Sequence, residues 1–371
     1  MSQATGSAGA ATFVGLVDLA DVALGGRALG ASDEFFAPAA NLVQPGRGVF
    51  IDGKFTEQGK WMDGWESRRR RAPTPDHDWC VLALGAPGEV VGFDIDTNHF
   101  LGNHPPFASV EGVWAPGVAD ADSPKMLLGN TAGAPAWSEL LPQAPLRPGA
   151  QNLFAAVSRG AVSHVRLNIF PDGGVARFRV FGRVTPPTRW DAPGLAPDEG
   201  AAAHVASGLV DLAAVKNGAM ALACSDAFFG PMNNLLLPGR AADMGGGWET
   251  RRRRAPGSDW ILIKLAVPGA FETVEIDTNH FKGNCPDRCS VEAIDAPDGA
   301  RITDLVGASP SSTPPLQSKW WELVPQTTLT PHQRHFFPTS VSGGGRRATH
   351  VRLNIFPDGG ISRLRVWGRP V

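Results

Sequence analysis

The sequence predicts an all-β protein, a tandem duplication of two antiparallel jelly-roll or β-sandwich domains. Three observations predict this fold: a long internal repeat, short apolar segments that alternate with polar residues, and Gly and Pro residues at close intervals. The repeat is clearest in an eleven-residue stretch, HVRLNIFPDGG, which stands letter for letter at 164–174 and 350–360. The copies lie half a chain apart, whereas a solenoid unit spans about 20 to 50 residues. Two complete domains are therefore expected.

Other motifs recur in the same order in the two halves. They are Ser-Asp-x-Phe-Phe, Gly-Trp-Glu followed by one residue and four arginines, and Ile-Asp-Thr-Asn-His-Phe, at 32–36 and 225–229, 64–71 and 247–254, and 95–100 and 276–281. The segment 53–62 occurs in the first half only. We expect the first repeat at residues 1–190, a linker at 191–203 that is rich in Pro, Gly, Ala and acidic residues, and the second repeat at 204–371.

Alternation of apolar and polar residues predicts half-buried antiparallel strands. Residues 164–170 and 175–181 show this pattern. The turn residues Pro-Asp-Gly-Gly between them predict that each repeat ends in a β-hairpin.

A second pair of strands is predicted at 79–84 and 89–95, joined by a Gly-Ala-Pro-Gly turn, with counterparts at 260–266 and 271–276. Helical periodicity is almost absent from the chain. The main exception is a short helix predicted at 17–24, with a counterpart near 210–215.

Composition and charge exclude several classes of protein. Of the 371 residues 43% are apolar and 19% are charged, and the net charge of −2 gives no basic surface for nucleic acid or for a membrane. No apolar stretch approaches the roughly 18 residues that span a bilayer. The first eleven residues contain no basic and apolar regions of the kind that direct secretion. A cytoplasmic protein is therefore expected.

The cysteines favour a reducing compartment as well. Cys80, Cys224, Cys285 and Cys289 are not matched between the halves, although a disulfide framework would have been duplicated with the domain. Cys285 and Cys289 have no second Cys or His pair at ligand spacing, so they do not predict a metal site.

The segment from Asp96 to Asn103 gathers a carboxylate, an imidazole, amides and a Gly after an apolar strand. Functional groups often collect on such loops. His99 could act as a general acid or base, with Asp96 orienting it. Alternatively, Asp96 and Asn98 only satisfy backbone amides in a structural turn.

The arginine run from Arg68 to Arg71 follows Trp65 and Glu66. On a strand, successive residues point to opposite faces, so two of the four arginines would lie on each face. Inward-facing arginines need carboxylate partners or an anionic ligand. The alternative is a solvated charge run.

The third candidate is the row His164, Arg166 and Asn168, which alternation places on one face of a strand. It could line a concave ligand face or form a solvated polar stripe. Glu111 and Glu292, in matched Ser-Val-Glu segments, are further duplicated carboxylates.

At these motifs the sequence resembles the allantoicase (allantoate amidinohydrolase) family. The resemblance rests on residues 32–42, 64–70, 96–103 and 164–174, and each motif occurs again in the second half. It covers nearly the whole chain, from about Val17 to Arg369. It implies two jelly-roll domains of galactose-binding-like fold in a soluble homo-oligomer. It also implies hydrolysis of allantoate to ureidoglycolate and urea, a step of purine and allantoin breakdown.

This reaction sets requirements that the duplicated residue types can meet. Allantoate carries a carboxylate on a carbon that bears two ureido groups, and one of these is replaced by hydroxyl. Urea is a poor leaving group unless it is protonated, the water needs a base, and the carboxylate needs a cation. The sequence demands no cofactor, although a divalent ion such as manganese could polarise a ureido carbonyl.

The sequence leaves open whether the active site lies in one half or at the junction between the halves. We favour the first repeat, where His99 protonates the departing urea and an arginine holds the carboxylate. The predicted catalytic residues are His99, Asp96 and Glu66, and the predicted substrate-binding residues are Arg68, Arg70, Asn98, Asn103, Trp65 and Arg166. Their second-repeat equivalents are Asp277, His280, Asn284, Glu249 and Arg251. Two alternatives are a non-catalytic bivalent module that binds small molecules or carbohydrate, and a purely structural tandem.

Overall fold

The chain divides into two compact units, residues 1–185 and 186–371. This computed structural model describes residues 13–71, 76–118, 127, 135–157, 160–187, 202–307, 316–339, 343 and 345–371. The predicted linker at 191–203 lies outside the described residues except for its last two, which begin the helix Ala202–Ala206.

The first unit is built from short antiparallel strands and one long strand. The strands are β1 (Val17–Asp18), β2 (Arg27–Ala31), β3 (Phe55–Thr56), β4 (Gly59–Lys60), β5 (Trp65–Glu66), β6 (Asp78–Asp96), β7 (Phe107–Val113), β8 (Ser138–Pro145), β9 (Leu153–Ala155), β10 (Ala161–Phe170), β11 (Gly174–Val175) and β12 (Arg177–Val184). Its main sheet has the order β1-β12-β6-β10-β7-β8, and β2 and β9 also pair with β6. Strand β5 pairs with β11, and β3 pairs with β4 inside the segment that only this half contains.

The second unit repeats this arrangement. Its strands are β13 (Val210–Asp211), β14 (Met220–Cys224), β15 (Trp248–Glu249), β16 (Asp259–Asp277), β17 (Arg288–Ile294), β18 (Trp321–Thr328), β19 (Arg334–Pro338), β20 (Ala348–Phe356), β21 (Gly360–Ile361) and β22 (Arg363–Pro370). The sheet order β13-β22-β16-β20-β17-β18, with β14 and β19 also on β16 and with β15 paired to β21, matches the first unit strand for strand. The all-β fold class and the tandem duplication are thus confirmed.

Helices in the described residues are short. They are the α-helices Ala202–Ala206 and Ile302–Val306 and the 3₁₀-helices Val22–Leu24, Ala39–Val43, Val215–Asn217, Met232–Leu236, Met244–Gly246 and Leu316–Lys319. The helix predicted at 17–24 was therefore wrong in most of its length, because Val17 and Asp18 form a strand and only Val22–Leu24 is helical. The same correction applies near 210–215, where Val210 and Asp211 are strand.

The strand pair predicted at 79–84 and 89–95 is also wrong, because β6 is one continuous strand and so is β16 at 259–277. Strand β6 changes partners along its length: its first half pairs with β10 and β2, and its second half with β12 and β9. The glycines that suggested a turn permit close approach instead. A Cβ atom on Gly85 would lie 2.7 Å from the backbone of Leu24, and one on Gly88 would lie 2.3 Å from the carbonyl oxygen of Arg183.

The hairpin predicted at the end of each repeat does not form. Strands β10 and β12 lie on opposite sides of β6, so residues 171–174 carry the chain across the sheet. Pro and Gly signal the change of direction without revealing which strand follows on which side. The crossing places Asp172 and Gly173 beside the arginine run, since Ser67 N donates to the Gly173 carbonyl at 3.1 Å.

Candidate active site

A pocket of about 960 Å³ lies in the first unit where four segments meet. It is lined by residues of the segments 32–36, 66–71, 102–106 and 171–173, together with Asp78 at the start of β6. We call it the first-repeat pocket. Three of these segments belong to the motifs that recur in the second half.

Glu66 is fixed in the pocket by its strand. The backbone of β5 pairs with β11 on one side, and Glu66 N donates to the Ala37 carbonyl at 3.1 Å on the other. One side-chain oxygen of Glu66, Oε1, accepts a hydrogen bond from Asn103 Nδ2 at 2.7 Å. Burial raises the pKa of the Glu66 carboxyl, and the bond from Asn103 partly offsets the shift. Such a carboxyl is a better base than an ordinary one.

Trp65, the neighbour of Glu66, points the other way. Its side chain is fully buried, and its indole N–H donates to the Asp33 carbonyl at 2.8 Å. A side chain with no exposed surface cannot meet a substrate, so Trp65 belongs to the core and not to the binding residues. Trp248 is equally buried and donates to the Asp226 carbonyl at 2.9 Å.

The arginine run is a loop rather than a strand, and two of its backbone amides are held by aspartates. Arg68 N donates to Asp33 Oδ1 at 2.8 Å, and Arg70 N donates to Asp172 Oδ2 at 2.7 Å. The predicted alternation of arginines on a strand is therefore wrong, because the strand ends at Glu66. The two aspartates come from distant segments and fix the path of the loop along the pocket.

The four arginines differ in their partners. The Arg68 side chain pairs with Asp33 at 2.7 Å, and that of Arg70 pairs with the buried Asp78. Arg69 and Arg71 are exposed and line the pocket, and neither guanidinium has a partner among the described residues. Since Arg68 and Arg70 are already neutralised by carboxylates, Arg69 and Arg71 are the cations available to an anionic ligand.

His104 also lines this pocket, although the sequence did not place it among the predicted site residues. Its Nδ1 is buried and lacks a hydrogen-bond partner within the described segments. Unsatisfied buried polar atoms are uncommon in proteins and often mark functional positions. The sequence signal that could have found it is the difference between the repeats, because Cys285 stands at the equivalent position.

The other predicted residues of the 96–103 loop lie outside the pocket lining. Asp96 is buried and forms a two-bond ion pair with Arg47, at 2.8 and 2.9 Å. It also accepts from the backbone N of Asn98, whose side chain donates to the Gly48 carbonyl. His99 has a left-handed backbone conformation (φ 67°) and packs near the Phe50 ring, with 5.7 Å between ring centroids. The structure thus separates these three residues from Glu66, Asn103 and the arginines.

Arg166 lies in a different cluster as well. It binds Glu111 Oε2 through two nitrogens, at 2.8 and 2.6 Å, and stacks over the Trp137 ring at 4.9 Å. Asn168 donates to the same Glu111 oxygen at 2.9 Å. Arg166 and Asn168 are thus paired within their own repeat, and Arg352 and Glu292 repeat the ion pair.

The second unit has an equivalent pocket of about 880 Å³, which we call the second-repeat pocket. Glu249 accepts from Asn284 Nδ2 at 2.6 Å, as Glu66 does from Asn103. Arg251 pairs with Asp226 at 3.4 Å and does not line this pocket. Asp277 pairs with Arg240, and the His280 ring donates to the Ala241 carbonyl at 3.0 Å, so both follow the turn-forming pattern of the first unit.

No group of three or more His, Cys, Asp or Glu residues in the described ranges is arranged to hold a metal ion. No described helix is long and apolar enough to cross a membrane.

A comparison with known proteins assigns the family. The family model for the allantoicase repeat matches residues 17–185 and again residues 210–371. The chain belongs to the allantoicase family. Probable allantoicase 2 of Burkholderia pseudomallei is 46% identical over 354 residues, which cover 95% of this chain and 94% of that protein. Probable allantoicase of Pseudomonas paraeruginosa is 45% identical, with coverage of 97% and 98%.

The fold agrees with that of a solved relative. The crystal structure of allantoicase from Saccharomyces cerevisiae is 35% identical and superposes with a TM-score of 0.73. The match covers 95% of this chain and 93% of the yeast chain. The allantoicase family therefore accounts for both repeats and for the sandwich fold.

Proposed function

We propose that this protein hydrolyses allantoate to ureidoglycolate and urea in purine catabolism, at the first-repeat pocket. Membership of the allantoicase family over both repeats carries this proposal. Membership of this family favours an enzyme over a non-catalytic binding module. The pocket adds the chemistry that the reaction requires, since it brings together unpaired arginines, a half-buried carboxyl and an imidazole.

Substrate recognition begins with the carboxylate. Arg69 lies between two residues whose amides are fixed by Asp33 and Asp172, so its side chain extends from an ordered segment. An unpaired guanidinium in such a position can form a two-bond ion pair with a carboxylate. Asn103 gives its side-chain N–H to Glu66, and its side-chain oxygen Oδ1, which has no donor among the described residues, can accept from a ureido N–H.

The chemical step needs an acid and a base on the carbon that bears the ureido groups. His104 in its protonated form gives a proton to the nitrogen of the departing urea as the C–N bond breaks, and Glu66 takes a proton from the attacking water. The hydroxyl from that water forms the new C–O bond of ureidoglycolate. Proton transfer from Glu66 back to His104 restores the starting state. The pocket orients these groups about one carbon, and this orientation by itself increases the rate.

His99 remains an alternative acid from the sequence prediction. It lies outside the lining of the pocket that contains Glu66, and therefore we assign the acid to His104. A site at the 96–103 turn would use a different base, because Asp96 is already paired with Arg47. Variants at the two histidines separate the assignments.

The direct test is release of urea from allantoate by the purified full chain. We expect stoichiometric urea and ureidoglycolate, and no reaction with allantoin, whose ring holds the nitrogen that must leave. The assay is run after chelation and again with added manganese, so that dependence on a divalent ion is measured together with turnover. Absence of urea under both conditions would contradict the proposed function.

We further propose that the protein is a cytoplasmic homo-oligomer. Its partner is the small-molecule substrate allantoate, and it binds neither nucleic acid nor membranes. Symmetric assemblies are the common state of such enzymes. Light scattering at micromolar concentration is expected to give a dimer or a higher even assembly, and a monomer would contradict this part of the proposal.

A further inference from the structure

The second-repeat pocket keeps the binding groups of the first. Arg252 and Arg254 line it, are exposed, and have no partner in the part of the chain that the structure describes. Arg253, between them, pairs with the buried Asp259, as Arg70 pairs with Asp78. The pair of Glu249 and Asn284 is also present.

The arginine loop is held in the same way in both repeats. Arg251 N donates to Asp226 Oδ2 at 2.7 Å, and Arg253 N donates to Asp358 Oδ2 at 2.7 Å. Arg252 therefore stands between two fixed amides, like Arg69. These bonds fix the backbone on both sides of Arg252, so its side chain extends from an ordered segment as that of Arg69 does.

The pockets differ where proton transfer would occur. Cys285 replaces His104, and its thiol donates to the carbonyl oxygen of the adjacent Pro286 at 3.3 Å. Asp287 replaces Pro106 in the lining, and its carboxylate pairs with Arg288 at 2.8 Å. Burial raises the pKa of the Cys285 thiol to about 11. The thiol is therefore neutral near pH 7, and it does not readily give a proton to the nitrogen of a departing group.

We propose that the second-repeat pocket is a separate, non-catalytic binding site for a small carboxylate that carries a ureido group. The ligand class rests on the proposed function, since the groups that would hold allantoate in the first repeat are present again. Arg252 binds the carboxylate, and the side-chain oxygen Oδ1 of Asn284, which has no donor in the described part of the chain, accepts from the ureido N–H. Each chain then has two binding sites and one catalytic site.

The test uses hydantoate (N-carbamoylglycine), which has the carboxylate and one ureido group but lacks the second ureido group that the enzyme would expel. Titration calorimetry on the full chain is expected to give two sites per chain. Arg252→Ala should remove one site and Arg69→Ala the other, and the double variant should show no binding. Arg252→Lys should weaken its site by roughly tenfold while leaving it detectable, because lysine keeps the charge and loses the two-bond geometry.

Arg301→Ala is the matched control, because Arg301 is exposed, its side chain pairs with Asp304 and with no other described residue, and it lines neither pocket. It should leave both sites intact. Circular dichroism of each variant separates a lost site from a lost fold.

Turnover distinguishes failure of this inference from failure of the proposed function. Urea release by the wild type together with one hydantoate per chain, or none, would overturn the second site. Urea release that falls equally in Arg69→Ala and Arg252→Ala would overturn its non-catalytic character. No urea release by the wild type, with two hydantoate sites still present, would overturn the proposed function and leave the second site standing.

Discussion

The first-repeat and second-repeat pockets share a scaffold and differ at the wall where proton transfer would occur. Both have an arginine loop fixed by two aspartates, an Arg–Asp ion pair with a buried carboxylate, and a Glu–Asn hydrogen bond. The first has the imidazole of His104 and Pro106 where the second has the thiol of Cys285 and the carboxylate of Asp287. Binding geometry is set by several backbone contacts, whereas proton transfer depends on a few side chains. Substitutions at one wall can therefore separate the two functions after duplication.

Substitution of the matched carboxylates Glu66 and Glu249 gives the largest expected difference in turnover between the two pockets. Glu66→Gln removes the proposed base and should lower kcat by about 10³-fold, with the fold retained because glutamine can still accept from Asn103. Glu249→Gln is the matched change in the second repeat and should alter kcat by less than about threefold, because no chemical step occurs there. Steady-state urea release measures both. Equal losses would show that the two pockets are equivalent.

Substitution of His104 is expected to have the next largest effect on turnover. His104→Asn should lower kcat by about 10²-fold, since an amide does not replace a general acid. His99→Asn is the control from the neighbouring turn, and asparagine tolerates the left-handed backbone that His99 adopts (φ 67°). If the larger loss follows His99 instead, the acid belongs to the 96–103 loop.

The pH profile sharpens the role of Glu66. A base must be ionised, so the rate should fall as the pH drops through the raised pKa of Glu66, which lies above that of an ordinary glutamate. The hydrogen bond from Asn103 lowers this pKa, and its removal in Asn103→Ala should therefore move the acid limb of kcat/KM to higher pH. Asn284→Ala should leave the limb in place. An unchanged limb in Asn103→Ala would contradict the assignment of Glu66 as the base.

Substitution of the buried tryptophans Trp65 and Trp248 should give the smallest difference between the two repeats. Trp65→Phe and Trp248→Phe each leave a backbone carbonyl without its indole donor and leave a small cavity, at a cost of about 1–3 kcal/mol in the free energy of unfolding. Because the cores match, denaturant titration should give similar losses for both. A substrate-binding role for Trp65 would instead appear as a change in KM that Trp248→Phe lacks.

Much of the fold could be predicted from the sequence, and the reason is physical. Alternation reports which side of a strand is buried, so the sequence predicts segments such as 164–170 as strands. Alternation does not show which strands pair, and for this reason the sequence suggests a turn at Gly85 and Gly88 inside the single strand β6. A Cβ atom at either glycine would come within 3 Å of a neighbouring backbone segment, and this requirement for glycine looks the same in sequence as a turn.

The candidate site could be predicted only in part. Glu66, Asn103, Arg68 and Arg70 do line one pocket. Which arginine remains unpaired depends on Asp33, Asp78 and Asp172, whose approach is a result of tertiary folding. The motif around Asp96 was equally duplicated because its ion pair with Arg47 stabilises a turn, and duplication alone cannot separate a structural role from a chemical one.

A crystal structure of the Glu66→Gln variant with allantoate tests the roles of the two pockets most directly. We expect substrate in the first-repeat pocket, with its carboxylate against Arg69 and a ureido nitrogen within hydrogen-bond distance of His104. We also expect substrate in the second-repeat pocket against Arg252, with no imidazole at its ureido nitrogen. Allantoate bound at the His99 turn, or absent from the first-repeat pocket, would contradict these assignments.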